Sequence, residues 1–248
     1  MEQLLTNIKA DFAKLKADFI LNFIEADRWK LLLKGLKTTI IITIFAVILG
    51  VIIGLIVAII RATYDKNYDK MRGFGKSVCA GLNFISKIYL TVIRGTPVVV
   101  QLLIMYYIIF ASSDRAVLVA ILSFGINSGA YVAEIFRGGI MSIDEGQFEA
   151  GRSLGFNFVQ TMRYIVVPQA FKNVLPALLN EFIALVKETS VSGYVTLVDL
   201  TRAGDIIRGN TFSSFMPLIA VALIYLAIVM LLTWLLGKLE RRLRTSDR

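Results

Sequence analysis

Three carboxylates and a few amides and hydroxyls sit in stretches otherwise too apolar to hold them. Ser123, Asn127, Tyr131 and Glu134 follow one another at spacings of four, four and three, so they form one stripe along a helix. The 116–133 stretch of that helix carries no charge. Glu181 and Glu188 are one heptad apart, as are Asn180 and Lys187, and each pair shares a helix face. Gln101 lies just past a break formed by Arg94, Gly95, Thr96 and Pro97. Amides and hydroxyls can donate to a carboxylate, and carboxylates can receive an ammonium group. Such a set binds a zwitterion or lines a path for one; it does not make or break covalent bonds. A purely structural reading stands beside it. Glu181 and Glu188 could pair with Lys187 or with Arg94 across a bundle, while Glu134 reads best as a partner of Arg137 three residues on. For Gln101, Asn127 and Tyr131, lining a path and holding helices together both remain open.

Covalent chemistry is poorly served. The chain has no histidine, hence no imidazole base and no histidine-ligated metal. The one cysteine, Cys79, has no internal partner for a disulfide, and no metal-ligand cluster is apparent. An intramembrane enzyme would be left with Ser/Lys or carboxylate chemistry. No GxxxxGK[ST] string is present, so nucleotide binding falls to another chain. The net charge of +9 comes from basic residues flanking apolar runs, which is the positive-inside pattern of membrane proteins and not a nucleic-acid surface.

The elements that must position these groups are membrane spans. Of 248 residues, 56% are hydrophobic, against about 45–50% in soluble domains. Uncharged or weakly charged runs predict spans at about 38–60, 88–111, 116–138, 171–190 and 212–237. In the first, Ala46, Gly50, Gly54 and Ala58 recur every four residues, a seam that lets two helices approach closely. The second is broken at Pro97, a hinge or gate candidate, because proline removes a backbone donor. Pro176 should likewise kink the fourth. Ser112, Ser113 and Asp114 form a tight turn, 61–87 reads as a basic loop, and 195–211 as a polar loop on the opposite side. Residues 1–33 are an amphipathic segment with Phe12, Leu15, Phe19 and Phe23 at helical spacing, suited to lie on lipid, and lack the pattern of a signal peptide. The basic 61–87 segment together with Lys238, Arg241, Arg242 and Arg244 places the C-terminus in the cytoplasm, and five spans then put the N-terminus outside.

Between the third and fourth spans runs SIDEGQFEAGRSLGFNFVQTMRYIVVP, residues 142–168. Ser142 with Glu145 reads as a capping box, Gly155 as a helix stop, and Asn157 with Gln160 as a second cap. The result is helix, glycine elbow, helix: a polar shelf showing Glu145, Gln147, Glu149 and Arg152, with Phe148, Gly151 and Leu154 on another face.

EAGRSLG at 149–155 resembles the EAA loop of ABC importer permeases, with Gly151 where that pattern prefers alanine. IRGTPVVVQLL at 93–103, INSGAYVAEIFRGGI at 126–140 and VVPQAFKNVLPALLNEFIALVKETS at 166–190 resemble the polar amino acid branch of the type I importers. The resemblance implies an all-α integral membrane protein, a five-span bundle of the type I ABC importer (MetI-like) permease kind, over 34–248. It implies a non-enzymatic subunit that imports a polar or charged amino acid. Glu145, Glu149, Ala150, Gly151, Arg152, Leu154 and Gly155 would grip a separate cytoplasmic ATPase, which holds the ATP and magnesium. A second permease, identical or paralogous, and an extracellular amino acid-binding protein would complete the assembly in the bacterial cell membrane. The alternative of an ion-coupled secondary carrier would use Glu134, Glu181 and Glu188 as ion sites.

Overall fold

Two helices, α2 (Trp29–Asn67) and α5 (Ala116–Met141), share the most extensive interface in the molecule, and the small residues of both explain it. A Cβ on Gly50 would lie 3.0 Å from Ser128 Oγ, and one on Gly54 2.5 Å from Val132 Cγ1. The relation is reciprocal: Gly125 faces Leu49 and Gly129 faces Ile53. Each helix therefore seats its larger side chains in the glycine notches of the other, as the four-residue seam predicts.

The computed structural model describes residues 1–245; the last three residues of the predicted 34–248 domain, and the side chains of Glu2, Leu4, Leu5, Ile8, Lys9, Leu243, Arg244 and Thr245, lie outside the described set. Chain order gives α1 (Glu2–Phe19), α2, α3 (Gly73–Gly95), α4 (Val98–Ile104), α5, α6 (Glu145–Ser153), α7 (Phe158–Thr161), α8 (Val167–Glu188), α9 (Leu200–Thr211) and α10 (Phe215–Thr245). Along α2, buried residues enter four apolar clusters in turn. Leu32 packs with Leu200, Ala203 and Val221, Ile42 and Ala46 with Leu102, Phe124 and Leu185, Val57 with Leu90 and Ala133, and Ala62 with Ile140, Phe148 and Val166. One end of the bundle thus carries α9, and the other carries α6.

Among the described residues, α2, α5 and α10 are each long and apolar enough to cross a membrane. The bent pair Gly73–Gly95 and Val98–Ile109 passes the same test as a unit. The remaining predicted span, α8, is more polar; it packs on α2, α5 and α10.

Several local expectations need correction. The 61–87 segment is not a loop: α2 continues to Asn67 and α3 starts at Gly73, because Cys79, Asn83, Ser86 and Leu90 give α3 a buried face at helical spacing. The 195–211 segment is mostly helix. Asp199 caps α9 by accepting from the backbone N–H of Thr201 and Arg202, and Leu200, Ala203 and Ile207 are buried beneath it. Its exposed side carries Asp205 between Arg202 and Arg208, with Arg208's hydrogen bond holding the Asp205 carboxyl below the usual carboxylate range. The N-terminal stripe divides. Phe12, Leu15 and Phe19 are exposed, whereas Phe23 is buried in a π-turn after α1. That turn is fastened to α9 by Asn22, which accepts from Thr211 Oγ1 at 2.7 Å. α10 begins at Phe215 and runs past the predicted 237 to Thr245.

Candidate functional site

The shelf is built at the α6 end. Its first cap is Asp144, not Ser142: Asp144 accepts from Gly146 N at 2.7 Å, while Ser142 Oγ donates to Gly139 O and accepts from Asn173 Nδ2. Ser142 is still bound into the C-terminal end of α5, so the next acceptor along the chain takes the role. The glycine elbow is as expected. Gly155 has φ +79°, with Phe156 N bonded to Gly151 O and Gly155 N to Arg152 O, the two bonds of a Schellman motif. Asn157 and Gln160 form a complete reciprocal capping box. Pro168 then follows directly on a π-turn at Met162–Val166, at the start of α8.

Glu145, Glu149, Ala150, Arg152, Leu154 and Gly155 are exposed, and Phe148 and Gly151 point inward. Leu154 does not join that inner face: it lies past the last helical turn and is 71% exposed. Gly151 is required by contact, since a Cβ there would meet Thr161 Cγ2 and Oγ1 at 2.7 Å. The departure from alanine thus costs helix propensity of about 1 kcal/mol but lets α6 close onto α7.

Lys66, which in the sequence reads only as one charge of the basic 61–87 segment, ties α2 to the shelf. Its ammonium sits 3.6 Å from the centroid of the Phe148 ring and 3.4 Å from Glu145 Oε1. Gln169 to Gln147 and Asn173 to Ser142 tie α8 to it from the other side. The Glu145 carboxylate is solvated, so the ion pair is weak and the buried ring contact dominates, at about 1 kcal/mol. Lys66→Met should lower the thermal midpoint of the purified protein by about 2–4 °C, and Glu145→Gln by clearly less. Equal shifts in a melting experiment would assign the stabilisation to the ion pair instead.

The polar stripe of α5 divides: Asn127 meets Gln101, Tyr131 and Glu134 both meet Arg94, and the buried Ser123 Oγ has no hydrogen-bond partner among the described residues. Asn127, buried, donates to Gln101 Oε1 at 3.0 Å. Gln101 in turn donates to Ile93 O, Thr96 O and Thr96 Oγ1 at 2.7, 3.1 and 2.8 Å. These carbonyls are the ones freed where α3 stops at Gly95 and the chain bends by 107° through Thr96 and Pro97. Gln101 therefore supplies what the broken backbone needs at membrane depth. Tyr131 presents its ring to the Arg94 guanidinium at 5.7 Å, and Glu134 bridges Arg137 at 2.9 Å and Arg94 at 3.9 Å. Glu181, on α8, accepts from the buried Ser128 hydroxyl at 2.8 Å. Glu188 stands one heptad further on, next to Lys187. Gln101 and Asn127 are thus brought together; Glu181 reaches the same helix through Ser128, and Glu188 touches neither. Ser128 carries no signal in the sequence; the structure places it opposite Gly50. Pro176 lies inside α8, its carbonyl accepting from Asn180 Nδ2.

Residues 80–245 match the family of binding-protein-dependent transport system inner membrane components. The chain belongs to this family. The permease is 39% identical over 166 residues to the glutamine transport system permease protein of Escherichia coli strain K12, a match spanning 65% of this chain and 76% of that protein. It is 38% identical over 168 residues to the arginine transport system permease protein of Bacillus subtilis strain 168, spanning 66% and 76%. It superposes on an amino acid ABC transporter crystallised with histidines at a TM-score of 0.77 and 38% identity, covering 89% of this chain and 98% of that one. The inward-facing methionine ABC transporter MetNI gives a TM-score of 0.73 at 20% identity, over 88% and 98%, a likeness of fold. The permease is a transport subunit of the inner membrane and not an enzyme, and its family works with binding proteins.

Proposed function

We propose that this permease carries a polar amino acid of the glutamine or arginine kind into the cell, driven by a separate cytoplasmic ATPase that docks on α6. The observation that carries this is the exposed α6 helix with its glycine elbow, braced to both α2 and α8. From that brace α8 runs to Glu181, and α2 and α5 run to the Gln101–Asn127 contact at the bend. A shift of the shelf would move all three. The names of the E. coli and B. subtilis relatives support the substrate class.

The α6 end is cytoplasmic in this reading. Lys66, Lys70, Arg72 and Lys76 gather there with Lys238, Arg241 and Arg242, as the positive-inside rule requires. The N-terminus and α9 then face outward, where a binding protein delivers the substrate. One bundle forms half of the pathway; a second copy or a paralogue supplies the rest, and ATP and magnesium stay on the partner ATPase.

Reconstituted uptake with ATPase and binding protein supplied tests the reading. Uptake should need ATP inside the vesicle and survive collapse of the proton gradient; the opposite pattern would make the protein a secondary carrier. In the same assay Asn127→Leu, which strands the Gln101 carbonyl oxygen, should cut uptake about tenfold for a loss of about 1–3 kcal/mol. Glu181→Gln should act most on cationic substrates. Wild-type uptake and preference in both variants would mean that these side chains only hold the bundle together.

A further inference from the structure

A second polar site runs along α3 from Lys87 to the near side of the bend at Arg94 and Gly95. A cavity of about 520 Å³ opens between α2, α3 and α5, lined by Arg61, Lys87, Thr91, Arg94 and Glu134. Its charges do not balance. Glu134 faces Arg94 at 3.9 Å but is held more closely by Arg137, at 2.9 Å. Arg61 and Lys87 have no hydrogen bond or ion pair among the described residues. The Nε of Arg61 is fully buried and has no acceptor. A buried guanidinium N–H without an acceptor is costly, and a guanidinium matches a phosphate or carboxylate with paired hydrogen bonds.

The depth of the cavity narrows the choice. Arg61 is the first charge after the uncharged 38–60 stretch of α2, and Lys87 immediately precedes the apolar 88–93 stretch of α3. Both mark the level where hydrocarbon gives way to headgroups on the α6 side. Deeper along α3, Ile88 and Val92 are one turn apart and each about half exposed, a track for an acyl chain running inward.

We propose that the Arg61–Lys87 cavity binds the phosphate of an anionic phospholipid from the leaflet on the α6 side, with an acyl chain along Ile88 and Val92. Arg94 at the inner end shares Glu134 with Arg137, whereas Arg61 and Lys87 have no anion among the described residues, so the phosphate sits towards Arg61 and Lys87. The proposal takes its leaflet from the orientation given above, but binding itself is independent of transport.

The test is native mass spectrometry of the full-length protein in detergent, titrated in turn with phosphatidylglycerol, phosphatidylcholine and inorganic phosphate. Phosphatidylglycerol adducts should persist at activation energies that strip phosphatidylcholine. At about 1 kcal/mol per cation, Lys87→Gln should weaken the adduct about fivefold, and Arg61→Gln with Lys87→Gln about thirtyfold. Lys70→Gln with Arg72→Gln, which removes two charges outside the cavity, should leave it unchanged. Equal loss in that control would reduce the effect to diffuse attraction and overturn the site. Equal retention of phosphatidylcholine, or inorganic phosphate binding as tightly as the lipid, would overturn the anionic-lipid assignment. Lys87 is exposed, so its single variant keeps the test decisive if Arg61→Gln fails to fold.

Discussion

Gly54→Leu should leave almost no correctly assembled protein. The position faces Val132 Cγ1 and Cβ at 2.5 and 2.7 Å and the backbone nitrogen of Ala133 at 2.9 Å. A backbone atom has no rotamer in which to retreat, so a leucine must push α2 and α5 apart along their whole seam. Overpacking costs about 1–3 kcal/mol where side chains can adjust; here the upper end applies, and close approach is what joins helices in lipid. The measurement is the yield in the monodisperse peak after membrane extraction, expected to fall at least about tenfold. Gly54→Ala should fall less, and Val132→Ala should restore part of that loss, because two of the three contacts are with Val132. A Gly54→Leu protein that assembles normally yet changes its substrate preference would overturn the packing role of the seam.

Gly155→Val should uncouple transport with little effect on the bundle. The residue has φ +79°, and a Cβ added there would meet nothing within 4 Å, so the whole cost is in the backbone. For a β-branched residue in the left-handed region that cost is about 1–3 kcal/mol. The Schellman bonds from Phe156 and Gly155 would be lost, and with them the direction in which the chain leaves α6 for the Asn157 cap. Uptake driven by the ATPase should drop about tenfold or more, with a near-normal extraction yield. Gly155→Asn, which tolerates the left-handed region, should retain most of the activity. Equal loss in both variants would mean that the elbow's conformation is not what matters; normal uptake in Gly155→Val would remove the shelf from the coupling role proposed for it.

Much of this protein was legible in one dimension, because lipid imposes simple rules. Spans must be apolar and long, helices that touch need small residues at a fixed spacing, and a left-handed stop needs glycine. The seam at Ala46, Gly50, Gly54 and Ala58, the break at Pro97, the elbow at Gly155 and the Asn157–Gln160 box all follow from such local rules. Helix α9 and the 73–87 part of α3 fall in segments whose composition reads as loop. In α9 the charges are many, and in 73–87 glycines and flanking lysines resemble a loop, so composition masks a helical period that burial against α2 makes decisive. The cap moved from Ser142 to Asp144 because α5 keeps Ser142 in its own last turn, a competition invisible to a motif. Only the tertiary structure paired residues far apart in the chain. Lys66 met Phe148, Ser128 met Glu181, Gln101 met Asn127, and Arg61 was left beside Lys87 without an acceptor. Spacing along one helix says which face a side chain shares; which neighbour it meets there depends on how the helices are rotated and bent against each other, and that is set by the packing of the whole bundle.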